Sequence, residues 1–312
     1  MANIRMHLRN AVHFVTNRCE QEQFLLLPRN RINDLVREWL ARAYVFAGGG
    51  IEVFAFVFLS NHFHLLCRDT RGNLARFMCY FEANLARAVN RELRRHGKFW
   101  AREYDDVLVD GDAELLDRYA YVLCNAVKAG LVDEAAQWVG VSSLGHALKD
   151  EPVRVSALNR TKLHNATRRG QKVDVKDFIE TFEMPVTRPP MWTGLKQRDI
   201  AARVVGLVRA GEAEYRAKRG NKRALGMRAV LRQRPTDRPQ EPSCRPRIRV
   251  FSFDPERRKE LLAGYRTFVG AYRETYGAYV NGARKGARLA AEWPRWSYPP
   301  SCCAPRGYAR AA

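Results

Sequence analysis

Two hydrophobic periods alternate through the first 110 residues. "AVHFVTNR" has the short apolar run of a strand, and from Asn30 the spacing lengthens, with Ile32, Leu35, Val36, Trp39, Leu40 and Ala43 falling on one helical stripe. Asn30 is the expected cap of that helix and "GGG" at 48–50 its stop. "IEVFAFVFL" is almost unbroken apolar and aromatic, the pattern of a central strand covered on both faces. After a tight Ser60-Asn61 link comes a second strand, "HFHLLCR", expected to pair with it as a hairpin. Asn73 is placed to cap a second helix, with Leu74, Phe77, Met78, Phe81, Leu85 and Ala88 on its stripe, and "GKFWAREYDDVLV" supplies a further strand. The order strand, helix, strand, strand, helix, strand is that of a ferredoxin-like split unit. It predicts an α+β fold with an antiparallel sheet, two helices on one face, and the other face open to a substrate.

A further helix is expected from about Ala113 to Ala129, ended by Gly130. Leu115, Leu116, Tyr119, Val122, Leu123, Ala126 and Val127 form its apolar stripe. Glu114, Asp117, Arg118, Tyr121, Asn125 and Lys128 form the opposite face. Beyond residue 150 the pattern weakens. "DIAARVVGLVRAGEAEYRAKRG" and "NKRALGMRAVLRQ" predict basic helices, and a Pro/Arg-rich linker occupies 234–248. A long helix from Pro255 to Val280 places Leu261, Leu262, Tyr265, Phe268, Val269, Tyr272, Tyr276 and Tyr279 on one stripe, read as packing against a core. The tail "WPRWSYPPSCCAPRG" is irregular. This divides the chain into a catalytic region, 1–150, and a mainly helical region, 151–312.

Charge sharpens that division. The chain carries a net charge of +21, but residues 1–150 hold 19 Lys+Arg against 18 Asp+Glu, leaving 35 against 15 for the rest. A field of that sign favours a polyanionic partner such as nucleic acid, whose counterions it displaces. Seven cysteines without a repeating spacing exclude a disulfide framework and a zinc-finger site. The sequence has no run of about 20 apolar residues for a membrane span and no apolar signal core, so the expected location is the cytoplasm, with no membrane partner.

Candidate chemistry sits in two places. On a strand, side chains alternate, so His62 and His64 stand side by side on one face. That is the arrangement two ligands of one divalent cation need, and equally one that two core histidines can adopt. On the helix, Tyr121 and Asn125 are four residues apart on the polar face, able to present a phenol and an amide to the same point, a spacing that an ordinary half-exposed tyrosine shows equally, whereas Tyr119 belongs to the apolar stripe.

"NRCEQEQFLL", "FVFLSNHFHLL" and "RYAYVLCNAVKAGLV", in this order over residues 8–148, resemble the single-tyrosine HUH transposases, in particular the REP-associated tyrosine transposases. Members of that branch typically carry Pro-Asn-His-x-His-Leu and later Tyr-Ile-x-x-Asn-Pro-Val-x-Ala-Gly. The resemblance implies Tyr121 as catalytic nucleophile, His62, His64 and Asn125 as ligands of a divalent metal, Mg²⁺ or Mn²⁺, and single-stranded or hairpin DNA as substrate. It further implies cleavage through a 5′-phosphotyrosine link, rejoining by a 3′-hydroxyl, and action as a monomer or homodimer. Lys128, one turn beyond Asn125, is the candidate phosphate contact, and the basic second region the expected grip on a DNA hairpin. Ser60 and Ala126 stand where the family usually has proline, and neither departure removes a catalytic group. The alternatives are a related replication or conjugation nuclease, which the absence of a GxxxxGK[ST] motif disfavours, and a domesticated nucleic-acid-binding protein that no longer cuts.

Overall fold

A computed structural model describes residues 4–6, 8, 10–240 and 248–280. The elements run β1 (Ala11–Arg18), α1 (Asn30–Phe46), β2 (Ile51–Phe58), β3 (His62–Asp69), α2 (Leu74–Glu92) and β4 (Asp105–Val109). Then come α3 (Asp112–Leu123), α4 (Asn125–Lys128), α5 (Leu144–Lys149), β5 (Val153–Leu158), α6 (Arg160–Arg168) and β6 (Ile179–Met184). The chain continues through α7 (Gln197–Arg219), α8 (Met227–Arg232), β7 (Val250–Phe251) and α9 (Pro255–Val280). Antiparallel pairing sets the sheet order β2-β3-β1-β4, the arrangement expected of the split unit, and β7 extends it in parallel beside β4. The fold is α+β, as the alternation of periods predicted. No described helix is long and apolar enough to cross a membrane.

Strand alternation divides the core in two. Val15, Phe56, Phe58, Phe63, Leu65 and Cys67 point to one face, where they meet the apolar stripes of α1 and α2. Phe14, Phe54, Val57, Leu66 and Val109 point to the other, where they meet Leu115, Tyr119, Val122 and Leu123 of α3 and Ile200, Val204 and Val208 of α7. The second face is therefore largely covered rather than open, because the helices after β4 carry apolar stripes of their own that must be buried. Residues from both sides of position 150 share this cluster.

Three local expectations change. β2 lies at the edge of the sheet, not its centre. Its free edge is blocked by backbone bonds from Phe58 N–H to Val141, Ser143 N–H to Phe56 and Thr187 N–H to Val53, which is how a strand apolar but for Glu52 can sit at an edge without exposing its ladder. Asn30 is the first residue inside α1 rather than its cap. At α2 the cap position is Asn73, but the capping oxygen belongs to Asp69. Its Oδ1 accepts from the N–H groups of Arg71 (3.2 Å), Gly72 (2.7 Å) and Asn73 (2.9 Å), and its Oδ2 from Leu74 N–H (2.9 Å).

In the second region α7 and α9 form over the expected spans. The basic stretch before 232 is helical only over Met227–Arg232, and the β5–β6 hairpin, packed on α1, fills a stretch the sequence left unassigned. Phe268 and Tyr272 of the α9 stripe are buried, Tyr265 donates its hydroxyl to Ile4 O at 2.7 Å, and Tyr276 is exposed. Part of the linker, 241–247, the side chain of Tyr279 and the tail lie outside the described residues.

Candidate functional site

β3 pairs with β1 so that His64 lies opposite Thr16 and His62 opposite Arg18, at the end of the sheet away from the deeper apolar pairs. His62 and His64 share a face, their rings 5.1 Å apart and nearly perpendicular. The Phe14 ring stacks on His64 at 5.1 Å, and the Tyr121 ring meets His64 edge-on at 5.3 Å and Phe14 at 5.7 Å. Tyr119, two residues earlier, is buried against Trp192. The helical stripe thus separates a packing tyrosine from one that faces the histidines.

The expected single helix over 113–129 is broken at Cys124, whose φ of −93° and ψ of 7° interrupt it before α4. α7 crosses there. Cys124 Sγ lies 3.4 Å from Val208 O, and Gly211 of α7 faces it so closely that a Cβ would come within 2.9 Å of the sulfur. The break turns Asn125 inward. It is buried and makes a side-chain hydrogen bond to His62. Gly130, with φ of +67°, follows α4 where the sequence placed a helix stop. Lys128 Nζ lies 4.0 Å from the Tyr121 ring centre and the Arg118 guanidinium 4.8 Å from it. The structure therefore brings His62, His64, Tyr121, Asn125 and Lys128 together.

Electrostatics hold both imidazoles neutral. Burial, then the charge of Arg18, pushes His62 down to about 3 against its bond to Asn125, with Lys128 adding to the depression. His64 is held well below its ordinary value by burial, by His62 and by Lys128, Arg18 and Arg118. His13 makes the contrast. Also buried, it has its Nδ1 2.9 Å from Asp106, and although burial works against its charged form, that carboxylate raises its affinity for a proton. His13 is a satisfied core histidine, whereas His64 Nδ1 is buried with no hydrogen-bond partner.

His62 also has a fixed tautomer. Its Nδ1 lies 2.6 Å from Asn61 Oδ1, and Asn61 Nδ2 donates to Glu22 O at 3.2 Å, which orients the amide so that its oxygen accepts from the ring. The proton on Nδ1 leaves the Nε2 lone pair for a ligand, the usual arrangement of a metal-binding histidine with its outer partner. Among the described residues no group of three or more His, Cys, Asp and Glu side chains gathers. Two neutral imidazoles, one with an unpartnered nitrogen, and a buried amide fit a divalent ion.

Sequence reasoning missed Arg18 and Asn61 as neighbours of the histidines, and Tyr215 and Phe251 beside Lys128 and Arg118. Asn61 was in plain view before the HxH pair. Tyr215 and Phe251 lie about 90 and 130 positions from Tyr121, beyond any local pattern.

The sequence matches no family model and no curated protein. Among solved structures, the chain is similar to a REP-associated tyrosine transposase bound to a REP hairpin, at 14% identity and a TM-score of 0.41, over 49% of this chain and 89% of the other.

Proposed function

We propose that this protein is a metal-assisted tyrosine transposase that cuts and rejoins single-stranded, hairpin-bearing DNA. The observation that carries the reading is the meeting, at one end of the sheet, of a tyrosine with two neutral histidines, a buried asparagine and a lysine. The Tyr121 hydroxyl attacks the scissile phosphorus. A bond from its oxygen to phosphorus forms, the bond to the 3′-oxygen breaks, and the departing 3′-hydroxyl takes up the proton that the phenol gives up. His62, His64 and Asn125 would hold Mg²⁺ or Mn²⁺, which when bound would polarise the phosphate oxygens. Lys128 and Arg118 add positive charge where the phosphorane charge develops, and Phe14 fixes the His64 ring by stacking. Because the phosphotyrosine link conserves the energy of the broken diester, a second 3′-hydroxyl reverses the attack without a nucleotide cofactor.

The test incubates the full chain with a labelled single-stranded hairpin and Mg²⁺ or Mn²⁺ and looks for a protein–DNA adduct that survives denaturant. The expected result is an adduct with the wild type, none with Tyr121→Phe, and none with His62→Ala although that variant still binds the hairpin. A wild type that binds without forming an adduct would overturn the reading in favour of a non-cleaving DNA-binding protein.

A further inference from the structure

A strand cut at Tyr121 must be held on either side of the scissile phosphate, and the surface around that tyrosine carries a continuous row of rings and cations. Phe253 meets Phe251 edge-on with centroids 5.3 Å apart. The Arg118 guanidinium lies 4.0 Å from the Phe251 ring centre and 4.8 Å from that of Tyr121. Lys128 Nζ follows at 4.0 Å from Tyr121 and 5.9 Å from Tyr215, and Lys218 Nζ at 5.9 Å from Tyr215. Aromatic and cationic groups thus alternate from the end of β7, across α3 and α4, to α7.

No member of the row is fully buried, and Phe253 is 55% exposed. Tyr121, Tyr215 and Phe251 each pack in part against the second core cluster, whereas Phe253 stands outside it with nothing in the packing to explain its exposure. Its position is nevertheless built: the buried Glu114 accepts from Phe253 N–H at 2.6 Å, which fixes the chain as it leaves β7. Acidic neighbours are Asp117, paired with Arg118 at 2.6 Å, Glu214, paired with Lys218, and at the β7 end Glu114, Asp254 and Asp110, the last paired with Arg257 at 3.1 Å. These pairings reduce the local charge but leave the Arg118 plane lying over the rings.

Each nucleotide of a single strand offers one π-face and one phosphate, and alternating rings and cations are the surface that matches both. A duplex hides its base faces and gains nothing from the rings. We infer that the row Phe253, Phe251, Arg118, Lys128, Tyr215 and Lys218 is a track for single-stranded DNA that passes over Tyr121. This rests on the proposed strand-transfer reading and extends it by naming the strand's path. It also gives the basic second region a direct part at the site, since Phe251, Phe253, Tyr215 and Lys218 all come from it.

Fluorescence anisotropy tests the track with the full chain in a Tyr121→Phe background, so that no probe is cut, against a labelled oligothymidine and a duplex of equal length. Phe253→Ala and Tyr215→Ala are each expected to weaken oligothymidine binding roughly 5- to 100-fold, the usual loss of one stacked base, with duplex binding changed by less than about 2-fold. Phe253→Trp, at an exposed position where folding is safe, should restore the affinity. Unchanged oligothymidine binding in Phe253→Ala, or an equal loss on the duplex, would overturn the track, and tighter binding of an oligouridine would overturn DNA as its occupant. Adduct formation is scored separately on a Tyr121-containing chain. An adduct together with unaffected oligothymidine binding defeats the track alone, and stacking losses without an adduct defeat the transfer reading alone.

Discussion

Replacing Gly211 with alanine probes the contact at the break between α3 and α4. The new Cβ would sit 2.9 Å from Cys124 Sγ and 3.5 Å from Cys124 Cβ. Carbon contacts settle near 3.5–4.0 Å, so the sulfur must retreat by roughly 0.6–1 Å. Cys124 is fully buried, with Val208 O 3.4 Å from its sulfur, and has little room to do so. Overpacking of this kind costs about 1–3 kcal/mol, while alanine gains about 1 kcal/mol over glycine inside a helix, leaving a net loss of roughly 0–2 kcal/mol. In a Cys124→Ala background the obstructing sulfur is gone and the helix gain remains, so the same substitution should stabilise by up to about 1 kcal/mol. Urea unfolding of the four proteins closes the cycle, with an expected coupling of about 1–3 kcal/mol. An effect of Gly211→Ala that is the same in both backgrounds would refute the idea that α7 presses on the break.

Two further outcomes follow from the carboxylates of Asp69, buried, and Glu82, partly buried. Asp69→Ala orphans four backbone N–H groups at the start of α2 and should cost about 2–4 kcal/mol in a denaturant titration; a loss below about 1 kcal/mol would mean the cap is dispensable. Burial raises Glu82 to about 8, against the Asn17 amide 2.9 Å away and the charge of Arg5, so the folded protein binds a proton that the unfolded chain has already released. Between pH 6.5 and 8 its contribution to stability should therefore fall as pH rises, by about 2 kcal/mol, and Glu82→Gln should remove that slope. Parallel stability curves for wild type and Glu82→Gln over this window would show that Glu82 is already ionised in the fold.

Much of the first region was legible because each of its elements carries its own period. The stripe Leu74, Phe77, Met78, Phe81 and Leu85 buries as spaced, with Val89 buried where Ala88 was expected, and the two histidines share a face because strand side chains alternate. Tyr119 and Tyr121 separate for the same reason on a helix. Local pattern failed where a distant segment supplied the missing partner. The run "IEVFAFVFL" looks like a central strand, yet it is an edge strand whose ladder is completed by Val141, Ser143 and Thr187. The helix through Asn125 looks continuous, yet it breaks where Gly211 of α7 meets Cys124.

Alone, then, the sequence determined the α+β order of elements, the charge asymmetry, and which faces His62, His64 and Tyr121 occupy on their own elements. Only the tertiary structure decided that those faces meet, that His64 is buried and both imidazoles are held neutral, and that Tyr215 and Phe251 flank Tyr121 through Lys128 and Arg118. The physical reason is range. A side-chain period is set within a few residues by backbone geometry, whereas desolvation and stacking depend on which surfaces, far apart along the chain, bury one another.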